Sequence, residues 1–222
     1  AWTDKDGRSG AEQALIEFYK RMRPGDPPTL DNAREYLESQ LFDPRRYAVR
    51  PSRRVLRRYR SGLNVLFVGR VAPHKRHEDL IQVFCHLQRS VRPESRLLLV
   101  GSTRGSEAFY GALQAYVERL GLSDVVFAGH VAAPEWSAYY RCASVYLSMS
   151  EHEGFGVPLL ESMYFGVPII AYKAAAVPET LGGAGLLLTA RNHAAAAELI
   201  ALLDEDRALR ERLVARQRER LQ

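Results

Sequence analysis

Two glutamates eight positions apart, Glu153 and Glu161, bracket the stretch SMSEHEGFGVPLLE (148–161), with Gly154, Phe155, Gly156, Val157 and Pro158 between them. Ionised carboxylates are pure hydrogen-bond acceptors and suit vicinal hydroxyls. The glycines remove the side chains that would keep a ligand from the backbone. Proline is at home in the first turn of a helix, so a helix is predicted to begin at Val157 or Pro158 and to run through Met163 and Tyr164. Glu153 then lies in the loop ahead of that helix and Glu161 one turn into it. The unpaired amides of 154–157 form the positive end of the helix dipole, which favours an anion in front of it. An ordinary glycine turn into a buried helix would look the same in isolation.

The matching positive charge lies far upstream, in Gly69-Arg70-Val71-Ala72-Pro73-His74-Lys75. An arginine offers a planar fork to phosphate oxygens, and the lysine five positions on adds a movable point charge. Two further loops carry candidates of the same kind: Ser102, Thr103 and Arg104, then Gly129, His130 and Val131, whose backbone could meet the edge of a base. Neither G-x-G-x-x-G nor G-x-x-x-x-G-K-[ST] occurs in the first strand-helix unit, which removes support for a dinucleotide fingerprint or a Walker site. No metal-ligand spacing of His, Cys and Asp is present.

These loops must be positioned by something, and the chain from residue 61 onward supplies it. LNVLFVG (63–69), RLLLVG (96–101), DVVFAGH (124–130), SVYLSMS (144–150), VPIIAY (167–172) and AGLLLT (184–189) are short, continuously apolar runs. Such runs suit strands covered on both faces of a parallel sheet. Helical periodicity falls between them, at 78–89 for example, and two amphipathic helices at 192–203 and 204–221 close the chain. The pattern predicts a doubly wound, Rossmann-like α/β sheet of about six strands, in which ligands sit beyond the carboxyl ends of the strands. All the loops named above fall at those ends.

Residues 1–60 read differently. AEQALIEFYKRM and DNAREYLESQLF are helical in period, PGDPP separates them, and RPSRRVLRRYR (50–60) carries six arginines around Val55, Leu56 and Tyr59. The arginine run reads as a solvated helix face or as a phosphate or lipid contact. The expected division is a helical, basic extension over 1–60 and an α/β domain over 61–222. The formal charge of +5 fits a polyanionic partner, an anionic membrane face or a phosphorylated small molecule. No run approaches the roughly 18 apolar residues of a membrane span, and the N-terminus AWTDKDGRSG lacks a signal-peptide pattern; the chain is therefore expected to be cytoplasmic, at the inner face of the membrane if it meets one. Cys85 and Cys142 are expected to be reduced thiols.

Three segments, FVGRVAPHKRHEDLI (67–81), SMSEHEGFGVPLLESMYFGVPIIA (148–171) and AAAVPETLGGAGLLL (174–188), together resemble the group 1 retaining glycosyltransferases of GT-B architecture. The resemblance implies the C-terminal, donor-binding half of such an enzyme. Its substrate would be a UDP-, GDP- or ADP-sugar, and it would need no cofactor and no metal. On this likeness Arg70 and Lys75 meet the donor pyrophosphate, Glu161 the ribose hydroxyls, and Glu153 the hydroxyls of the transferred sugar. The amides of Phe155, Gly156 and Val157 lie beside that sugar, and Gly129, His130 and Val131 lie against the base. Residues 1–60 offer no strand series, so the acceptor domain that would hold a glycan or lipid-linked acceptor is expected to be missing. Two other readings stand beside this one: a non-catalytic nucleotide-sugar-binding or regulatory module, and a nucleic-acid binder. The latter lacks aromatic and basic residues interleaved on a strand face.

Overall fold

Six parallel strands form one sheet in the order β3-β2-β1-β4-β5-β6. The computed structural model describes residues 47–153 and 156–222, together with Ile16, Lys20, Gly25 and Thr29. Strands β1 (Asn64–Val68), β2 (Arg96–Val100), β3 (Val125–Gly129), β4 (Val145–Ser148), β5 (Ile169–Tyr172) and β6 (Leu186–Leu188) follow the apolar runs, trimmed by a residue or two at each end. Val65 pairs with Leu97 on one side and with Val145 on the other, which sets β1 at the centre. Leu66, Leu97, Leu98, Val145, Leu147, Ile169 and Ile170 are at most 1% exposed. A strand this dry on both faces needs helices above and below it, and the alternating sequence provides them.

This strand order decides where a ligand can sit. Chain direction across the sheet reverses between β1 and β4, so the connections leaving these two neighbours depart to opposite faces and leave a crevice between them. The loop 69–76 leaves β1 on one side of it and the loop 149–156 leaves β4 on the other. Next to this point, Gly101 N–H donates to Gly129 O over 2.9 Å and Val71 N–H to Ser102 O over 2.9 Å, lacing together the loops after β1, β2 and β3. A Cβ on Gly101 would stand 1.9 Å from Gly69 O, so only glycine permits this approach.

The helices are α1 (Arg53–Tyr59), α2 (His77–His86), α3 (Glu107–Arg119), α4 (Ala133–Cys142), α5 (Val157–Phe165), α6 (Val177–Leu181), α7 (His193–Glu205) and α8 (Arg207–Arg220). Helix α5 begins where Pro158 placed it, with Gly156 as its N-cap at φ 71° and Gly166 ending it at φ 67°. The predicted helix 78–89 is instead α2 followed by a wider π turn, Leu87–Val91. The break between α7 and α8 falls at Asp206, whose Oδ1 accepts from Leu209 N over 2.8 Å and so caps the second helix.

The domain edge lies earlier than the expected residue 61. The chain divides into two compact units, Ala1–Tyr47 and Ala48–Gln222. Helix α1 belongs to the second, because Val55 and Tyr59 are buried in its core and Tyr59 O accepts from Asn64 Nδ2 over 2.7 Å. The arginines of α1 point outward while its apolar stripe points in, so the run is an exposed face on a domain helix. The two helical segments expected within 1–46 lie outside the described residues apart from Ile16 and Lys20. Cys85 and Cys142 are both free thiols, the first buried and the second half-buried. Among the described residues no helix is long and apolar enough to cross a membrane.

Candidate functional site

Lys75 ends a short 3-10 turn, Pro73–Lys75, just after β1, and Glu153 ends the described part of the loop after β4. Across the crevice Lys75 Nζ donates to Glu153 Oε2 at 2.7 Å, with side chains 18% and 11% exposed. The backbone supports the pairing, since Glu151 N–H donates to His74 O over 2.9 Å. The loops after β1 and β4 therefore meet at this pair.

Glu161, one turn into α5, accepts from the Tyr140 hydroxyl over 2.6 Å. Tyr140 is itself fixed by stacking on Phe165, ring centroids 5.1 Å apart, and by an edge contact with Trp136 at 4.9 Å. A second hydroxyl relates the two glutamates. Tyr146 is wholly buried, and its hydroxyl lies 3.4 Å from Val68 O at the carboxyl end of β1. Burial holds this phenol well above its usual range, and the charges of Glu153 and Glu161 add to the effect. Both carboxylates are thus near enough for their charge to act on the Tyr146 hydroxyl.

Arg70 is exposed at the mouth of the loop after β1 and makes no ion pair among the described residues. Arg104 and His130 are exposed at the tips of the loops after β2 and β3, and Val131 is half-buried beside them. Gly69 and Gly129 line a cleft of about 100 Å³ beyond β1, β2 and β3, together with Gly101, Thr103, Tyr110 and His77. Gly156 and Val157 head α5 as expected. Gly154 and Phe155 lie outside the described residues.

Behind the crevice is a charge network with no signature in the sequence. Asp79, its side chain 7% exposed, meets Arg76 Nε at 2.9 Å, Arg191 Nε at 3.1 Å and His193 Nε2 at 2.9 Å. Glu151 bridges the same two arginines at 3.7 and 3.1 Å. Arg191 also lies over the Tyr172 ring at 4.4 Å. The network ties the loops after β1, β4 and β6 to the start of α7. Arg76 holds a left-handed φ of 53° directly after Lys75, a conformation that costs a non-glycine residue about 1 kcal/mol and is retained because Asp79 grips its guanidinium. His77, one residue on and 1% exposed, packs edge-on against Phe67 at 5.0 Å. Burial pushes its pKa down to about 4, against the pull of the Ala72 carbonyl, with Lys75 and His74 lowering it further.

Chemically, the site offers cations on the β1 side and, on the β4 side, acceptor-only carboxylates and the start of an α-helix. A polyhydroxylated molecule bearing phosphate groups satisfies both.

The comparisons with known proteins agree with this class. The model of the family "Glycosyl transferases group 1" matches residues 50–220, and the chain belongs to that family. Among solved structures, HepE of Anabaena in complex with UDP-glucose is 23% identical, with 80% of this chain and 50% of that one covered and a TM-score of 0.69. The C-terminal domain of the group 1 glycosyl transferase LpcC of Francisella tularensis is 22% identical over 81% of this chain and 96% of that domain, TM-score 0.66. Sucrose-phosphate synthase of Thermosynechococcus elongatus is 26% identical over 81% and 46%, TM-score 0.68. The chain thus spans about half the length of the HepE and sucrose-phosphate synthase chains. A stretch of 47 residues, 21% of this chain, is 64% identical to the DNA-directed RNA polymerase subunit beta of Chloroflexus aggregans and spans 4% of that protein. The family match is the one that contains every site residue described above.

Proposed function

We propose that this chain is the donor-binding half of a retaining hexosyltransferase, which transfers a sugar from a nucleotide-diphosphate donor to an acceptor held by a separate domain. The observation that carries the reading is the Lys75–Glu153 pair across the switch point of the sheet, in a chain of the group 1 family. Lys75 and Arg70 neutralise the pyrophosphate and the charge that grows on it as the glycosidic bond breaks, so the leaving group departs without a metal. Glu161, oriented by Tyr140, accepts from the ribose hydroxyls. Glu153 accepts from hydroxyls of the sugar, beside the amides at the start of α5. Gly129 and Val131 offer backbone groups to the base.

The cleft beyond β1–β3 holds about 100 Å³, against the roughly 300–1,000 Å³ of a complete small-ligand site. A second domain closing over it would supply the remaining wall, the acceptor and the exclusion of water. The chain on its own is therefore expected to bind donor weakly and to transfer little. HepE is known in complex with UDP-glucose, which makes a uridine donor the first to try. Calorimetric titration with UDP-, GDP- and ADP-glucose tests the reading: one of the three should bind, and Glu161→Ala should weaken it. Unchanged affinity in that variant would remove Glu161 from the site, and no binding by any of the three would remove the donor.

A further inference from the structure

The end of the sheet opposite the crevice carries a feature that the donor site does not use. Arg53, Arg57 and Arg60 follow one another at spacings of four and three residues, which places them on one side of α1. With Arg141 of α4 they surround a cavity of about 680 Å³ whose apolar wall is Leu56 and Cys142. All four arginines are exposed, and among the described residues none of them makes an ion pair. Among the described residues the acid paired with this helix is Glu135, and it is taken by Arg54 at 2.6 Å. Arg141 is already steadied: its Nε donates to Ser137 Oγ over 3.3 Å and its guanidinium lies over the Phe165 ring at 5.4 Å.

Position separates this group from the donor crevice. Asn64, the first residue of β1, donates through Nδ2 to Tyr59 O at 2.7 Å and to Cys142 O at 2.9 Å, so the ends of α1 and α4 sit at the amino end of β1. The crevice lies beyond Val68, about 13 Å away at the rise of a parallel strand. Four guanidinium groups with no acid paired to them among the described residues repel one another, and a bound oxyanion relieves this while filling several forks at once. The apolar wall between them suits the first carbons attached to a phosphate ester.

We propose that Arg53, Arg57, Arg60 and Arg141 form a second anion site, which takes the phosphate ester of an amphiphilic or small phosphorylated ligand. The shared chemistry is a phosphate ester on a short carbon chain; its source is either a phospholipid head group in a bilayer or a free phosphate metabolite.

The test uses the full chain in two arms: flotation with vesicles of phosphatidylglycerol and phosphatidylcholine, and calorimetry with glycerol 3-phosphate. Binding in either arm that falls roughly thirtyfold in Arg57→Glu/Arg60→Glu supports the site. Binding to vesicles alone assigns it to the lipid head group, and binding to glycerol 3-phosphate assigns it to the free ester. Arg57→Lys/Arg60→Lys should retain most of the binding, which separates charge from loss of fold, and Lys75→Ala should leave it unchanged. Absence of binding in both arms, or binding that the double reversal does not weaken, would overturn the proposal.

Discussion

Lys75 Nζ and Glu153 Oε2 lie 2.7 Å apart across the crevice between β1 and β4, so the cation offered to a diphosphate is held by a carboxylate. A phosphate group must compete with Glu153 for Lys75. Glu153→Gln, which removes the competing charge, is expected to raise affinity for a free nucleoside diphosphate about fivefold. Lys75→Ala is expected to lower it at least tenfold. Calorimetry with UDP, GDP and ADP measures both. Equal losses in the two variants would mean that the pair merely shapes the loop.

Tyr140 holds Glu161 through one hydrogen bond of 2.6 Å. Tyr140→Phe keeps the stacking on Phe165 and removes only the hydroxyl, so the fold should persist. Nucleotide affinity is expected to fall about three- to tenfold, the equivalent of one hydrogen bond. A 2′,3′-dideoxy nucleotide offers Glu161 no ribose hydroxyl, and its affinity should not respond. An equal response of both nucleotides would place Glu161 elsewhere than on the ribose.

Asp79 is shielded from water and faces three groups that carry or accept a proton. Neutralising it leaves Arg191 with Glu151 and Arg76 with Glu78 and Glu151, and a broken buried pair costs about 3–5 kcal/mol. Asp79→Asn is therefore expected to lower unfolding free energy by an amount of that order in urea. A loss below about 1 kcal/mol would show that the network is dispensable for the fold.

His77 makes stability depend on pH. Its folded pKa is about 4 against 6.5 for the free side chain, so the unfolded chain binds the extra proton first. The neutral ring's contribution is complete above pH 6.5 and is lost as pH falls toward 4, a total of about 3 kcal/mol. His77→Phe should flatten this part of the curve relative to the parent chain, measured by denaturant unfolding at several pH values. Parallel curves for parent and variant would contradict the assignment.

The sequence made the sheet legible because each strand is a run of consecutive apolar residues, a pattern that only a strand covered on both faces explains. Pro158 located the start of α5 to within a residue, since the fixed φ and missing N–H of proline are physical constraints and not preferences. The domain edge was harder to see: the arginines of α1 outnumber Val55 and Tyr59, so composition masked the stripe that packs inward. Tyr140 and Asp79 were invisible for a different reason. Their partners lie 21 and 114 positions away, at Glu161 and His193, and only the folded chain brings them together. Tyr146 lies within an apolar strand run and differs from its neighbours only in a hydroxyl that reaches the last residue of β1.

The spatial convergence of these loops on one ligand is best tested by titrating UDP-glucose, then GDP- and ADP-glucose, into isotope-labelled protein and following backbone amide shifts. The expected result is a set of perturbed amides confined to 69–75, 129–131 and 153–161, absent from the Lys75→Ala spectrum at the same ligand concentration. Shifts confined to α1 and α4, or no shifts with any of the three sugar nucleotides, would contradict it.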